Sequence, residues 1–233
     1  MDNQEYTLFG RLIARLEKPF CEKCAESLSS NKYTLCFRCN KDGDTLYFDI
    51  LRAPGIYRRE KKDGNYLSRV IRKFKYHVLS DNERCRIAEE FAGLLHKHAS
   101  NTPEIISNVD CLVPVPITEK EEIRKGFNHI GMITRKLSEK IGIGVEESNL
   151  IKTRETTPQV GLNREERREN VKDAFEVRFP KRIKGKKILM IDDVATSCFT
   201  IDECARKLKE AGATAVNVLV LARNTKPSGE LCE

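Results

Sequence analysis

Lys187-Ile-Leu-Met-Ile-Asp-Asp-Val-Ala-Thr-Ser-Cys-Phe-Thr200 places four consecutive apolar residues, Ile188 to Ile191, directly before two carboxylates and a hydroxyl-rich loop. A run this apolar suits the centre of a parallel sheet, where both faces of the strand are covered. In open parallel sheets ligands bind beyond the carboxyl ends of the strands, where the chain turns toward a helix. Asp192 and Asp193 stand at that place. Adjacent carboxylates repel when both are ionised, so the pair makes sense where sugar hydroxyls donate to it or a divalent cation approaches. Thr196, Ser197 and Thr200 then put hydroxyls and backbone N–H groups at a helix entrance, whose free amides and positive dipole end attract anions. Carboxylates for hydroxyls beside amides for phosphate describe a ribose phosphate site. Thr200 and Glu203 also match the capping box S/T-x-x-E, which gives Thr200 a plainer reading as a helix cap.

Outward from this stretch, strands and helices alternate. Ile201, Cys204, Ala205 and Leu208 mark a helix face closed by Gly212, and Ala215 to Ala222 forms another apolar strand. Upstream, Val109 to Pro116 reads as a buried strand ending in a rigid proline turn, and Phe127 to Ile141 as a helix stopped by Gly142. Ala174 to Val177 suits a short strand after a polar, arginine-rich stretch from Lys152 to Asn170. Two amphipathic helices, over Tyr66–His77 and around Ile87–His98, are expected to pack on this unit. The sum predicts an α/β fold with a mostly parallel sheet flanked by helices.

The front of the chain differs. Cys21, Cys24, Cys36 and Cys39 form a C-x2-C-x11-C-x2-C cluster. Two such knuckles can bring four thiolates together, the tetrahedral set that Zn²⁺ takes with no position left for a catalytic water. With only Leu28, Tyr33, Leu35 and Phe37 nearby to bury, the segment would draw much of its folding free energy from the metal. A structural zinc ribbon is the first reading; a redox dithiol and an iron-binding or lost site are the alternatives. Pro54 and Gly55 make a natural boundary, giving a small zinc-ribbon module over residues 1–54 and an α/β domain over 55–233.

The other five of the nine cysteines are scattered, as buried thiols are, and do not suggest a disulfide scaffold. No stretch reaches the roughly 18 apolar residues of a membrane span, and the acidic, polar start is unlike a signal peptide. A cytoplasmic protein without membrane insertion is expected. The net charge of +7 is compatible with a polyanion partner but does not require one.

At these residues the Asp192–Thr200 segment resembles the signature of type I phosphoribosyltransferases, which bind phosphoribosyl pyrophosphate (PRPP) with Mg²⁺. The whole chain resembles the ComF/GntX family, linked to natural competence. The likeness also includes the cysteine cluster, Tyr57, Leu67, Ile71, Phe74 and Lys75, Val113-Pro-Val-Pro116, Arg124-Lys-Gly-Phe-Asn128, and Gln159, Leu162, Arg167, Asn170, Ala174 and Phe175. It implies that Asp192 and Asp193 bind the ribose hydroxyls and that Ala195, Thr196, Ser197, Cys198, Phe199 and Thr200 wrap the 5-phosphate. It places pyrophosphate at the turn of Val115 and Pro116, where Arg124, Lys125, Lys152 and Arg154 could neutralise it. Cys198 stands where the family loop has the glycine that lets backbone approach phosphate. A nucleophilic Cys198 at a helix N-terminus is an alternative, though no partner base is apparent.

Two functions compete. The first is Mg²⁺-assisted transfer of phosphoribosyl from PRPP to an unknown nitrogen acceptor. No general base is assignable, and His129, at the start of a helix, reads as structural. The second is a non-catalytic competence factor for DNA uptake that binds single-stranded DNA, meets competence-machinery proteins and keeps the fold as a nucleotide sensor. The cation-rich Arg178 to Lys187 run, and Arg58, Arg59, Lys61, Lys62, Arg72, Lys73 and Lys75 near Phe74 and Tyr76, could track a strand by neutralisation and stacking.

Overall fold

The computed structural model describes residues 5–17, 20–26, 28, 35–36, 39, 46–58, 65–157 and 163–224. Gln159, Leu162, Tyr33, Phe37, Arg59, Lys61 and Lys62 lie outside the described residues.

The sheet is built on the two apolar runs. β8 (Lys187–Ala195) pairs in parallel with β9 (Ala215–Arg223) on one side and β5 (Cys111–Pro114) on the other. Two short strands, β3 (Leu51–Arg52) and β4 (Gly55–Ile56), follow one another along the outer edge of β9, also in parallel. The expected boundary at Pro54–Gly55 thus falls between two strands that share one partner. Separate antiparallel ribbons join β1 (Thr7–Leu8) to β2 (Arg11–Leu12) and β6 (Leu150–Lys152) to β7 (Phe175–Val177). The expected mostly parallel sheet flanked by helices is the observed architecture.

Successive side chains on a strand point to opposite faces, and the core divides accordingly. Ile188 and Met190 of β8 join Val216, Val218 and Val220 of β9 in one apolar cluster, with Ile201, Cys204 and Leu208 of α6 (Phe199–Glu210) and with Cys21, Cys24 and Phe48. Leu189 and Ile191 join Leu219 and Leu221 in the other. That face is covered by α1 (Tyr66–Tyr76), α2 (Asp81–Asn101) and α4 (His129–Ile141) through Leu67, Phe91 and Ile133. Phe74 belongs to this core at 2% exposure, edge-on to Phe91 and Phe127. It is therefore no surface for stacking bases, because the helical period that puts Leu67, Ile71 and Phe74 on one stripe turns all three inward.

Three elements depart from the sequence reading. The polar 152–170 stretch contains α5 (Arg164–Val171), started by a reciprocal cap between Asn163 and Glu166. A further helix, α3 (Glu119–Lys125), fills the turn after β5 and ends on Gly126 in the left-handed region, φ 74°. α6 begins two residues earlier than a Thr200 cap requires: Cys198 is its N-cap and Thr200 lies within its first turn. Glu203, the expected cap partner, instead accepts from the Asp173 amide and pairs with Arg206.

Gly55 shows how tightly β4 is laid against α1. A Cβ there would stand 2.3 Å from Leu67 Cδ2 and 3.3 Å from the Leu221 carbonyl. Gly55→Ala is expected to lower stability by about 1–3 kcal/mol, because a buried leucine must leave its rotamer; thermal denaturation of the variant checks this.

Candidate ligand site and metal centre

Asp192 and Asp193 sit inside the carboxyl half of β8, with Asp192 opposite Val220, and not in the turn beyond it. Being consecutive, they face apart. Asp193 turns toward the helices of the second cluster and is 4% exposed. Its Oδ2 accepts from Lys75 Nζ of α1 at 2.9 Å and lies 3.5 Å from His129 Nε2 of α4. Burial alone would push this carboxyl up, but Lys75 and His129 more than offset it and hold Asp193 well below the usual carboxylate range. Lys75 is held protonated, burial being outweighed by the Asp193 charge. Burial lowers the pKa of His129, so the ring is neutral near pH 7.

Asp192 is half-buried, and its carboxylate accepts from the Asp193 amide at 2.8 Å. Burial first, and then the neighbouring Asp193 charge, push its carboxyl up to about 7. It is a carboxylate in need of a cation or hydroxyl donors.

Both aspartates line a cavity of about 530 Å³ at the carboxyl end of β8. Thr196, Ser197, Cys198, Phe199 and Thr200 line it as well, so the amino end of α6 opens into it. Ala195, by contrast, is fully buried behind the loop. Cys198 takes the left-handed conformation, φ 63° and ψ 2°, that suits glycine. Its side chain is buried at 3% exposure in the α6 cluster, so it is turned into the core and is no nucleophile facing solvent. Cys198→Gly is expected to change stability by no more than about 1 kcal/mol, because relief of left-handed strain offsets lost burial and gained chain entropy. Chemical denaturation of the variant measures the difference.

Of the cations assigned to pyrophosphate, the structure brings only Lys152 to the cavity, together with Val115 and Pro116. Lys152 Nζ donates to Thr156 Oγ1 at 2.9 Å. Lys125 is tied to Glu121 at 2.5 Å, Arg124 is exposed, and Arg154 donates to the Lys172 carbonyl; none of the three lines the cavity. Arg72 and Arg167 do line it. The Arg167 Nε is buried without a hydrogen-bond partner among the described residues. Arg167 was legible only through the family likeness. Lys75 likewise belongs to that likeness, but nothing in its sequence position tells that it pairs with Asp193.

The four cysteines converge. The sulfurs of Cys21, Cys24, Cys36 and Cys39 all lie within 4.8 Å of one another, and Cys24 and Cys36 are 3.6 Å apart. An ideal tetrahedron with Zn–S bonds of about 2.3 Å has edges of about 3.8 Å, so the set fits zinc. Thiols packed this closely cannot all ionise without a cation to take up the charge.

No family model matches the chain. Relatives do. It is 28% identical over 212 residues to the DNA utilization protein YhgH of Escherichia coli K12, covering 87% of this chain and 89% of that one. The YhgH protein of Salmonella typhimurium is 29% identical over 211 residues, with 87% and 89% covered. Competence protein F of Haemophilus influenzae is 25% identical over 226 residues, with 87% and 96% covered. Among solved structures, glutamine PRPP amidotransferase from B. subtilis, complexed with ADP and GMP, matches with a TM-score of 0.42 and 18% identity, over 64% of this chain and 30% of that one. Hypoxanthine phosphoribosyl transferase of Trypanosoma cruzi matches with a TM-score of 0.37 and 14% identity, over 69% and 74%. No helix among the described residues is long and apolar enough to cross a membrane.

Proposed function

We propose that this homologue of competence protein F and the YhgH proteins binds PRPP, or a related ribose phosphate, with Mg²⁺ in the cavity at the end of β8. The observation that carries the reading is the shared cavity of Asp192 and the amino end of α6. Asp192 would accept from ribose hydroxyls or hold Mg²⁺, either of which removes the cost of its ionisation. The α6 amides would take the 5-phosphate, and Lys152 with Arg167 the pyrophosphate. Asp193, already satisfied by Lys75, would hold the wall of the site. Transfer to a nitrogen acceptor is the finer reading: the ribose C1–O bond to pyrophosphate breaks, a C1–N bond forms, and pyrophosphate departs. The cysteine cluster would carry a structural zinc with every coordination position taken by sulfur.

Calorimetric titration of Mg·PRPP into the protein and into Asp192→Asn tests the reading. Binding is expected in the parent and at least ~10-fold weaker in the variant, the loss of one charge-assisted contact. Absence of heat in the parent would sink it. Release of pyrophosphate that depends on an added base would establish transfer.

Single-stranded DNA is the second reading, favoured by exposed aromatics beside cations. Tyr76 is 68% exposed with Lys75 Nζ 6.0 Å from its ring, and Phe179 is 52% exposed with the Arg182 guanidinium 5.2 Å from its ring. The names of the relatives point the same way. Such binding should weaken steeply with salt, so a flat log–log dependence in fluorescence anisotropy counts against it.

A further inference from the structure

We propose that Arg223, the last residue of β9, is a positioning residue that ties the four-cysteine module to the loop after Asp193 and fixes which way the loop amides point. The inference rests on the reading of that loop as a phosphate site.

Arg223 is a full charge at 2% exposure. Its guanidinium reaches in two directions. On one side Nε donates to the Cys24 carbonyl at 3.1 Å and Nη2 to Glu26 Oε2 at 2.5 Å. On the other, Nη1 donates to the carbonyls of Ala195, at 2.9 Å, and of Thr196. The Asn224 carbonyl takes a further bond at 3.1 Å, and the Asn224 amide itself donates to Ala195. A planar fork of five N–H donors suits this task; the single ammonium of lysine cannot span both sides.

The peptide bond turns these contacts into an orientation. In a trans peptide the carbonyl of one residue and the N–H of the next point in opposite directions. With the Ala195 and Thr196 carbonyls drawn to Arg223, the N–H groups of Thr196 and Ser197 point away from it. Thr196 and Ser197 line the cavity, whereas Arg223 does not. The clamp therefore pre-aims two amide donors before any ligand arrives, which removes a reorganisation cost from anion binding.

The other end of the clamp is set by the cysteine knuckle. Cys21 N–H donates to the Glu26 carbonyl at 2.7 Å and Ala25 N–H to the Cys21 carbonyl at 2.8 Å, closing the turn that presents both the Cys24 carbonyl and the Glu26 carboxylate. A metal on Cys21 and Cys24 stiffens that turn. Metal occupancy and the set of the loop amides are thus coupled through one side chain.

Hydrogen exchange of the 195–199 amides tests the coupling, on the zinc-loaded protein, on the chelator-stripped protein, and on Arg223→Lys in both states. Stripping the parent should speed loop exchange ~10-fold beyond the global change read at Ile188–Ile191, the scale of an ordinary coupling between sites. Zinc-loaded Arg223→Lys should show the same acceleration, with unchanged zinc content and unchanged protection of Ile188–Ile191. Stripping this variant should then add little at the loop beyond the global change read at Ile188–Ile191, because the link is already cut. Glu26→Gln, which keeps an acceptor but loses the charge, should fall between parent and Arg223→Lys, and serves if the lysine variant fails to fold. Additive effects of stripping and substitution, or a loop that ignores the metal, would overturn the proposal. A loop that responds as expected in a protein that shows no heat with Mg·PRPP would overturn the phosphate reading and leave the coupling standing.

Discussion

Asp193→Asn is expected to destabilise the protein by about 3 kcal/mol, whereas Asp192→Asn, one residue away, is expected to stabilise it at pH 8. The Asp193 carboxylate is the partner of Lys75 at 2.9 Å, and amide substitution leaves that buried ammonium without its counter-charge. Removing one member of a buried pair costs about 3–5 kcal/mol, and the lower end applies because the Lys75 side chain keeps 28% exposure. For a domain of this size that is a fall in Tm of roughly 6–12 °C. Among the described residues Asp192 forms no ion pair, and only Asp193 is paired with Lys75. Its carboxyl is pushed up to about 7, by burial and then by Asp193, so ionising it opposes folding.

The pH dependence separates the two residues. Asp193 has a folded pKa below its unfolded value of about 3.9, so its stabilisation is complete above that value and is lost only as pH falls further. For Asp192 the folded value is the higher one. The unfolded chain therefore gives up this proton first as pH rises, and the parent loses stability between about pH 4 and about pH 7. Asp192→Asn should raise stability by about 1 kcal/mol at pH 8, after allowance for solvent screening, and leave it unchanged at pH 4. The same variant should lose Mg·PRPP affinity. Thermal scans of both variants at pH 4 and pH 8 decide the matter; equal and same-signed shifts would refute the division of labour. A site residue whose removal stabilises the empty protein is what a strained ligand carboxylate looks like.

This split was legible in the sequence and follows from the period of a strand. Ile188 to Ile191 identify β8, and two consecutive residues on a strand cannot present to the same side. Asp192 and Asp193 both line the cavity, but the strand continues to Ala195 and turns them to opposite faces, so that Asp193 is the one that meets Lys75. α5 escaped notice for another reason. Its Arg-Glu-Glu-Arg-Arg-Glu-Asn-Val sequence has no apolar period, and only the Asn163–Glu166 cap marks its start. Arg223 was not legible at all. A charged residue closing an apolar strand reads as the exit to solvent, and its partners Cys24 and Glu26 stand 199 and 197 residues away. The cysteine ligands and the two apolar strands were legible because spacing and hydrophobic continuity are local signals. The cation set was not, because whether a cation lines the cavity depends on where α1 and α5 carry Arg72 and Arg167 and where β6 carries Lys152.

Cys24→Ser should have the largest effect of all, and its cause lies in the core more than in the cluster. The described part of the cysteine module is not an appendage: Cys21, Cys24, Ala25 and Phe48 are buried in the same apolar cluster as Val216, Val218 and Val220 of β9. The described residues of the module pack on one face of the central sheet, and on the proposed zinc reading a metal on the four cysteines would hold the module closed. A serine hydroxyl is a poor zinc ligand at neutral pH. The variant should therefore lose its zinc and at least about 5 kcal/mol of stability, a conservative share of the free energy that structural zinc supplies to small modules. Chelation of the parent should reproduce the loss, and zinc should restore the parent but not the variant. Cys204→Ser gives the control. That thiol is as buried as Cys24 and faces the same cluster, but it lies outside the metal site. Its replacement should cost only the burial of a hydroxyl, about 1–3 kcal/mol, and leave zinc content unchanged. Metal analysis paired with denaturant melts of the two variants distinguishes a metal that supports the fold from one that the fold merely tolerates. Equal losses in both, with zinc retained, would place the module's stability in its apolar contacts alone.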